Sequence, residues 1–305
     1  MNMKYKIFKI ETYDKIEQLG TKEKFWFYTK KDLLIKLFKI GRPGTGENWA
    51  EKATFEIAKL LKIPCASYDF AIWKNTPGVL SPSFVPEFCR LIHGNELLLN
   101  FISPNYPIDQ RYKVTEYKLS SVESFLINLS NIVNLPIGYA QNDKIRFPID
   151  IFISYIMFDC LIANPDRHHE NWGILLDSKH QKYYLAPTYD HASGLGCRVS
   201  DKERKNRLTT KDKRYSVKAF VRKPKTPFYD RKSKGIKTID AFKMLIKKNE
   251  VAADYWLNQL YLLSDDAIKN IFDKIPEDLI SSAAIDFAIA IIKENKKRLL
   301  AIKEG

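Results

Sequence analysis

IANPDRHHENWGILL, residues 162–176, is the stretch on which the reading of the whole chain turns. Two apolar runs enclose Asn164, Asp166, Arg167, His168, His169, Glu170 and Asn171. Burying polar groups costs free energy unless each finds a partner. The cluster is therefore either a tight turn whose members satisfy one another or a site that holds something from outside the chain. The preceding run, FPIDIFISYIMFDCLIAN at 147–164, is apolar nearly all round and predicts a central helix. WGILL (172–176) reads as a strand returning through the core, with YYLAP (183–187) as its hairpin partner. One hairpin brings Asp190, in TYDHASGLG, back near Asn171. Asp166, Asn171 and Asp190 then form an oxygen-rich site suited to Mg2+, which takes few protein ligands and completes its shell with water and phosphate oxygens. Zinc fits less well. His168 and His169 are adjacent and point differently, and with His191 they make no H-x-x-x-H spacing. His168 is expected to hold the loop by hydrogen bonds.

The rest of the chain bounds this site. A hydrophobic fraction of 45% with 13% aromatics over 305 residues excludes a disordered chain and allows one or two substantial cores. The longest apolar run, AAIDFAIAII at 283–292, is interrupted by Asp286, which favours a buried helix over a membrane span. The opening MNMKYKIFKIETYDK shows no signal-peptide pattern. Cys65, Cys89, Cys160 and Cys197 are scattered and form no C-x-x-C pair, as for free thiols in a reducing compartment. The expected location is cytoplasmic, in the producing cell or in a cell that receives the protein. The formal charge of +14 is uneven: residues 198–237 hold 16 lysines and arginines against four acidic residues, a net of +12. Such concentration predicts a docking surface for nucleic acid, an anionic membrane or an acidic protein.

Residues 1–95 read as a strand-rich lobe. KFWFY (24–28) and LLIKLFK (33–39) predict a hairpin, the loop IGRPGTGEN (40–48) follows, and WAEKATFEIAKLLKI (49–63) predicts a helix with Trp49, Ala53, Ile57, Leu60 and Leu61 on one stripe. CASYDFAIWK (65–74) and GVLSPSFVPEFCRLI (78–92) read as interrupted strands. Residues 96–305 read as mainly helical, with Ser120 or Ser121 capping one helix to about Val133, Ser264 capping another, and a terminal helix after Pro276. This predicts an α+β, bilobal architecture, and a cleft between lobes is a common ligand site.

Asp166-x-x-x-x-Asn171 followed by Asp190 resembles the protein-kinase pattern of an Asp at the substrate hydroxyl, an Asn on one metal and an Asp on the bridging metal. The wording NPDRHHENWGILL…YLAPTYDHASGLG is closer to the HipA-like serine/threonine kinases, and most like their short branch of CtkA-type and HipT-type chains. His191 and Ala192 stand where many kinases have Phe-Gly. The resemblance implies a bilobal kinase-like fold, ATP and Mg2+ as cofactors, and Asp166 as the catalytic Asp, with Asn171 and Asp190 on the metal. It implies Lys36 on the α/β-phosphates, oriented by Glu51, with Glu56 as the other acid on the same helix. Gly20, Thr21 and Lys22 resemble the nucleotide loop, and Ser83, Phe84 and Val85 would meet the adenine. The partners implied are a protein with a Ser/Thr hydroxyl, acidic or RNA-associated, and a possible antitoxin, as for a toxin or a delivered effector. Two other readings stay open. Phosphoinositide kinases also carry Asp-Arg-His-x-x-Asn, as in Asp166–Asn171, and the +12 segment could bind anionic head groups or make the chain a nucleic-acid-binding pseudokinase.

Overall fold

The computed structural model describes residues 3–11, 24–28 and 34–303. Its first lobe is a five-stranded sheet in the order β1-β4-β5-β3-β2, made of β1 (Ile7–Ile10), β2 (Lys24–Phe27), β3 (Lys36–Lys39), β4 (Asp69–Trp73) and β5 (Thr76–Pro82). The expected hairpin pairing is present: β2 and β3 are antiparallel, with Lys24 opposite Lys39 and Phe27 opposite Lys36. The strand is shorter than the apolar run that announced it. Side chains alternate between faces along a strand, and Phe38 packs with Phe25, Phe27, Ala71 and Leu80 in a small cluster of its own.

Helix α1 (Glu47–Leu60) crosses the other face of this sheet. Trp49, Ala53, Ile57 and Leu61 are buried as the 3.6-residue period requires. Leu60, by contrast, is 47% exposed, because it lies one position off that stripe and faces water. Pro64 follows the helix, and Lys62, at φ +58°, turns the chain before it.

The second lobe is built on α4 (Pro148–Leu161), every residue of which except Asp150 is buried. Helices α3 (Leu119–Asn128), α7 (Thr238–Ile246), α8 (Glu250–Leu262) and α10 (Ser282–Leu300) pack on it, and α2 (Gly94–Phe101), α5 (Asp201–Thr209), α6 (Val217–Phe220) and α9 (Asp265–Asp273) complete the helical part. Ser264 and Ser281 cap α9 and α10, each hydroxyl accepting a backbone N–H at 3.1 Å. Helix α3 starts earlier than its serines suggest. Lys118 occupies the capping position without a side-chain bond, Ser120 and Ser121 fall inside the first turn, and the helix ends at Asn128. Burial of Leu119, Val122 and Leu126 sets these limits.

The predicted hairpin of the second lobe is β8 (Gly173–Asp177) with β9 (Lys182–Leu185), in a four-stranded sheet ordered β6-β8-β9-β7, with β6 at Cys89–His93 and β7 at Val133–Asn134. The run 78–92 is split. Its first half belongs to β5, while β6 (Cys89–His93) pairs antiparallel with β8, so Ser83–Phe88 carries the chain from one sheet to the other. One hydrophobic cluster joins the α1 stripe to α4, so the two lobes share a core. A further hairpin, β10 (Lys225–Tyr229) with β11 (Gly235–Lys237), lies inside the basic segment.

Gly173 is required by the β6–β8 approach: a Cβ there would sit 2.3 Å from the carbonyl oxygen of Ile92. Gly173→Ala must push these strands apart and is expected to lower stability by about 1–3 kcal/mol, read as a reduced urea midpoint.

Candidate active site

The loop after α4 is folded around one buried ion pair. Asp159, in the last turn of the apolar helix, accepts Arg167 Nε at 2.7 Å and Nη2 at 2.8 Å, and both side chains are 1% exposed. Arg167 Nη1 also donates to the carbonyl of Asn171 at 2.8 Å, so one guanidinium ties both ends of the loop to the helix. Asn164 donates to Asp159 Oδ1 at 2.8 Å and accepts the N–H of Asp166 at 3.1 Å. Asn171 Nδ2 donates to the carbonyl of Asp166 at 2.6 Å. Tyr117 donates its hydroxyl to the carbonyl of Arg167 at 3.1 Å. Most of the polar cluster is thus satisfied internally, which is how it sits between two buried segments.

The histidines belong to the same scaffold. His168 Nδ1 accepts the N–H of Glu170 at 3.2 Å, and His169 Nδ1 meets the Tyr106 hydroxyl at 2.8 Å. His191 Nε2 meets Thr188 Oγ1 at 2.9 Å. Burial, with the nearby Arg111 cation, lowers the His168 pKa to about 4, and burial lowers that of His169 to about 4 as well. Both are neutral at physiological pH. Among the described residues no group of three or more His, Cys, Asp or Glu side chains could hold a metal ion.

Asp190 lies beyond the β8–β9 hairpin at φ +59°, a left-handed conformation that Asp tolerates and most residues avoid. Its N–H donates to Tyr68 Oη at 3.2 Å. Its Oδ1 accepts Lys39 Nζ at 2.5 Å, and the same ammonium donates to Glu51 Oε1 at 2.5 Å. Glu51 Oε2 accepts the N–H of His191 at 2.9 Å. Three segments distant in sequence, β3, α1 and the chain after β9, therefore meet on one buried lysine. Burial alone would lower the Lys39 pKa, but the Asp190 and Glu51 carboxylates outweigh it and hold it well above the ordinary value. Burial raises Glu51 above its ordinary range, against the pull of Lys39.

The lysine at this junction is Lys39, whereas the sequence pattern pointed to Lys36. The two are three residues apart and project from opposite faces of β3. Lys36 shares the face of Phe38, which is turned into the small outer cluster, and Lys39 shares the face covered by α1. Glu51 is in the expected position as the acid on the helix. Glu56 instead accepts Lys52 Nζ at 2.7 Å, and Lys52 also reaches Asp69 at 2.8 Å. Ser83, Phe84 and Val85 lie in the crossing between the sheets, where Phe84 stacks on Tyr189, centroids 5.2 Å apart, directly beside Asp190. Gly20, Thr21 and Lys22 lie outside the described residues.

Both oxygens of the Asp166 carboxylate carry hydroxyls of this chain. Tyr112 donates to Oδ1 and Ser193 to Oδ2, each at 3.1 Å. Ser193 in turn accepts Arg198 Nη2 at 2.9 Å, and that nitrogen also reaches Glu47 Oε1 at 3.2 Å, on a carboxylate held by Arg42 at 2.7 Å. Burial and the neighbouring Asp190 raise the Asp166 pKa above the usual carboxyl range. Sequence reasoning passed over Lys39, Asp159, Tyr112 and Ser193. Of these, only Asp159 carried a local signal, a carboxylate inside an otherwise apolar helix.

Asn171 and Asp190 each carry a hard oxygen of the kind that Mg2+ takes. Asn171 spends its Nδ2 on Asp166, which leaves its amide oxygen as a ligand, and the Asp190 side chain is 38% exposed.

The fold is mixed α/β and bilobal, and it is similar to that of two solved structures. The structure of CtkA, a proinflammatory kinase of Helicobacter pylori, superposes with a TM-score of 0.72 at 19% identity, over 98% of this chain and 100% of that one. A chain of the Shewanella oneidensis MR-1 toxin–antitoxin complex of HipA, HipB and operator DNA superposes with a TM-score of 0.57 at 12% identity, over 94% of this chain and 66% of that one. At these identities the likeness is one of fold. No protein-family model matches the sequence, and no curated protein does.

Two stability measurements check this geometry. Arg167→Met strands Asp159 without its cation and is expected to cost about 3–5 kcal/mol, part of which the double variant Asp159→Leu/Arg167→Met should recover in urea titrations. The second concerns Asp166. Its raised pKa means that the stability linked to its proton is fully present below pH ~4 and is lost as pH rises through the folded-state value. Asp166→Asn is therefore expected to raise Tm at neutral pH, with the gain vanishing near the ordinary Asp pKa in melts run across pH.

Proposed function

We propose that this chain is an ATP- and Mg2+-dependent serine/threonine protein kinase of HipA-like type, transferring the γ-phosphoryl group to a protein hydroxyl. The observation that carries this reading is the convergence of Lys39, Glu51 and Asp190 on one buried junction, within a bilobal fold similar to that of a solved kinase. In this reading Lys39 takes the role that the motif gave to Lys36: its ammonium, fixed by Glu51, holds the α/β-phosphates. Asn171 and Asp190 hold Mg2+, which when bound supplies positive charge against the phosphate oxygens. Asp166 accepts a hydrogen bond from the substrate hydroxyl at the position that Ser193 occupies here. Its raised pKa makes it a better proton acceptor than an exposed Asp. Positioning and electrostatics do most of the catalysis in such a site.

The Ser83–Val85 crossing is the proposed adenine contact, and the Gly20–Thr21–Lys22 loop the proposed phosphate cover. The similarity to a toxin–antitoxin complex and to a proinflammatory kinase supports a toxin or effector role in a cytoplasm, the former with an antitoxin partner. Among the described residues no helix is long and apolar enough to cross a membrane.

Transfer of label from γ-labelled ATP to a serine-containing protein mixture tests the assignment. Lys39→Met and Asp190→Ala should each lose about 10²–10³-fold in rate, the scale of removing one preorganised electrostatic contact, while Lys36→Met should keep most activity. Full activity in Asp190→Ala would sink the mechanism. The acidic limb of the pH–rate profile should lie above the ordinary Asp range near pH ~4, because Asp166 must be ionised to accept the hydroxyl.

A further inference from the structure

The basic segment resolves into cations that are used internally and cations that are not. Each of its four acidic residues is engaged within the fold. Asp201 accepts Arg204 at 2.7 Å and Glu203 accepts Arg207 at 2.8 Å. Asp212 pairs with Arg214, and Asp230 Oδ1 accepts the N–H groups of Lys232 and Lys234 at the turn of the β10–β11 hairpin, both at 2.8 Å. The hairpin itself presents Lys225, Arg231, Lys232, Lys234 and Lys237, all exposed, against the single carboxylate of Asp230 at its turn. Lys225 and Lys237 stand directly opposite one another in the register. Like charges so placed weaken a strand pair unless an anion lies against them.

This hairpin is fastened to the candidate active site. Phe228 is fully buried and stacks on Tyr117, centroids 4.3 Å apart. The N–H of Tyr229 donates to the carbonyl of Tyr117 at 3.0 Å. Tyr117 then donates its hydroxyl to the carbonyl of Arg167, the residue after Asp166. A rigid cationic ribbon is thus connected to the Asp166 loop through a single residue.

We propose that the β10–β11 hairpin is a docking site for an acidic protein segment, rich in Asp and Glu or phosphorylated, lying beside the hydroxyl to be modified. The inference rests on the phosphotransferase reading for its position and on charge complementarity for its ligand. An acidic peptide fits better than single-stranded nucleic acid, which binds through aromatic rings open to its bases. Here Phe228 is covered by Tyr117, Phe220 packs on Phe287, and Arg207 lies 4.1 Å over the ring of Tyr215. Of the segment's four rings Phe228 is buried, Phe220 and Tyr229 are half-buried, and only Tyr215 is exposed, with Arg207 over one face.

The test uses two peptides with the same acceptor serine, one flanked by glutamates and one by glutamines, and the full-length chain with Lys225→Glu/Lys237→Glu. The double variant should raise KM for the acidic peptide about tenfold, through loss of steering and rim charge, with kcat unchanged and the glutamine peptide unaffected. Fluorescence anisotropy of the labelled acidic peptide on the Asp166→Ala protein should show the same loss of affinity and a steep decline with salt. Equal effects on both peptides, or no effect on either, would overturn the proposal. So would tighter binding of an RNA of equal charge that the same variant abolishes. Retained peptide preference in the binding arm, without phosphoryl transfer by the wild-type protein, would overturn the kinase reading and uphold the docking surface.

Discussion

Lys39 carries an ammonium into a largely buried space, and two carboxylates from different parts of the chain meet it there. A buried cation is tolerated only when it is paired and hydrogen-bonded, so the positions of β3, α1 and the chain after β9 depend on one another. Glu51 strengthens that dependence, because its other oxygen accepts the N–H of His191 and so reaches from the first lobe into the second. The junction holds one cation against two carboxylates. Burial, with Asp190 contributing in each case, lifts Glu51 at the junction and Asp166 nearby above their ordinary pKa.

The second ion pair, Asp159 with Arg167, has a different task. It lies deeper and is fully occupied, and its effect is geometric. It fixes the loop so that the Asp166 carboxylate faces out while the backbone of 164–171 is tied down. A charged group inside an apolar helix is costly by itself, and here it is balanced by a guanidinium that also spans the loop it must hold. The left-handed backbone at Asp190 serves the same end, aiming a side chain that a regular strand would send elsewhere.

The hydroxyls on Asp166 connect this loop to its surroundings. Ser193 links Asp166 to Arg198, and Arg198 reaches Glu47 at the start of α1. The same α1 therefore touches the site at two points, through Glu51 at Lys39 and through Glu47 at Arg198. A shift of the first lobe relative to the second would be felt at both.

The sequence by itself determined the two-lobed plan, the central buried helix, the hairpin after it, and the candidate trio Asp166, Asn171 and Asp190. These were legible because polar residues that interrupt apolar runs, and turns of fixed length, are local signals. It also supplied the charge of 198–237, though not which cations remain outward. Only the tertiary structure shows that Lys39, three residues after Lys36, is the lysine buried against Glu51 and Asp190. Both lysines flank the same Leu37–Phe38 pair, and a strand sends residues three apart to opposite faces. Only the packing of Phe38 into the outer cluster and of α1 across the inner face shows which of them is buried. It also decided the partners of Asp159, Tyr112 and Ser193, whose contacts join residues 8, 54 and 27 positions apart. No local pattern encodes such pairs, because they exist only once separate segments have packed.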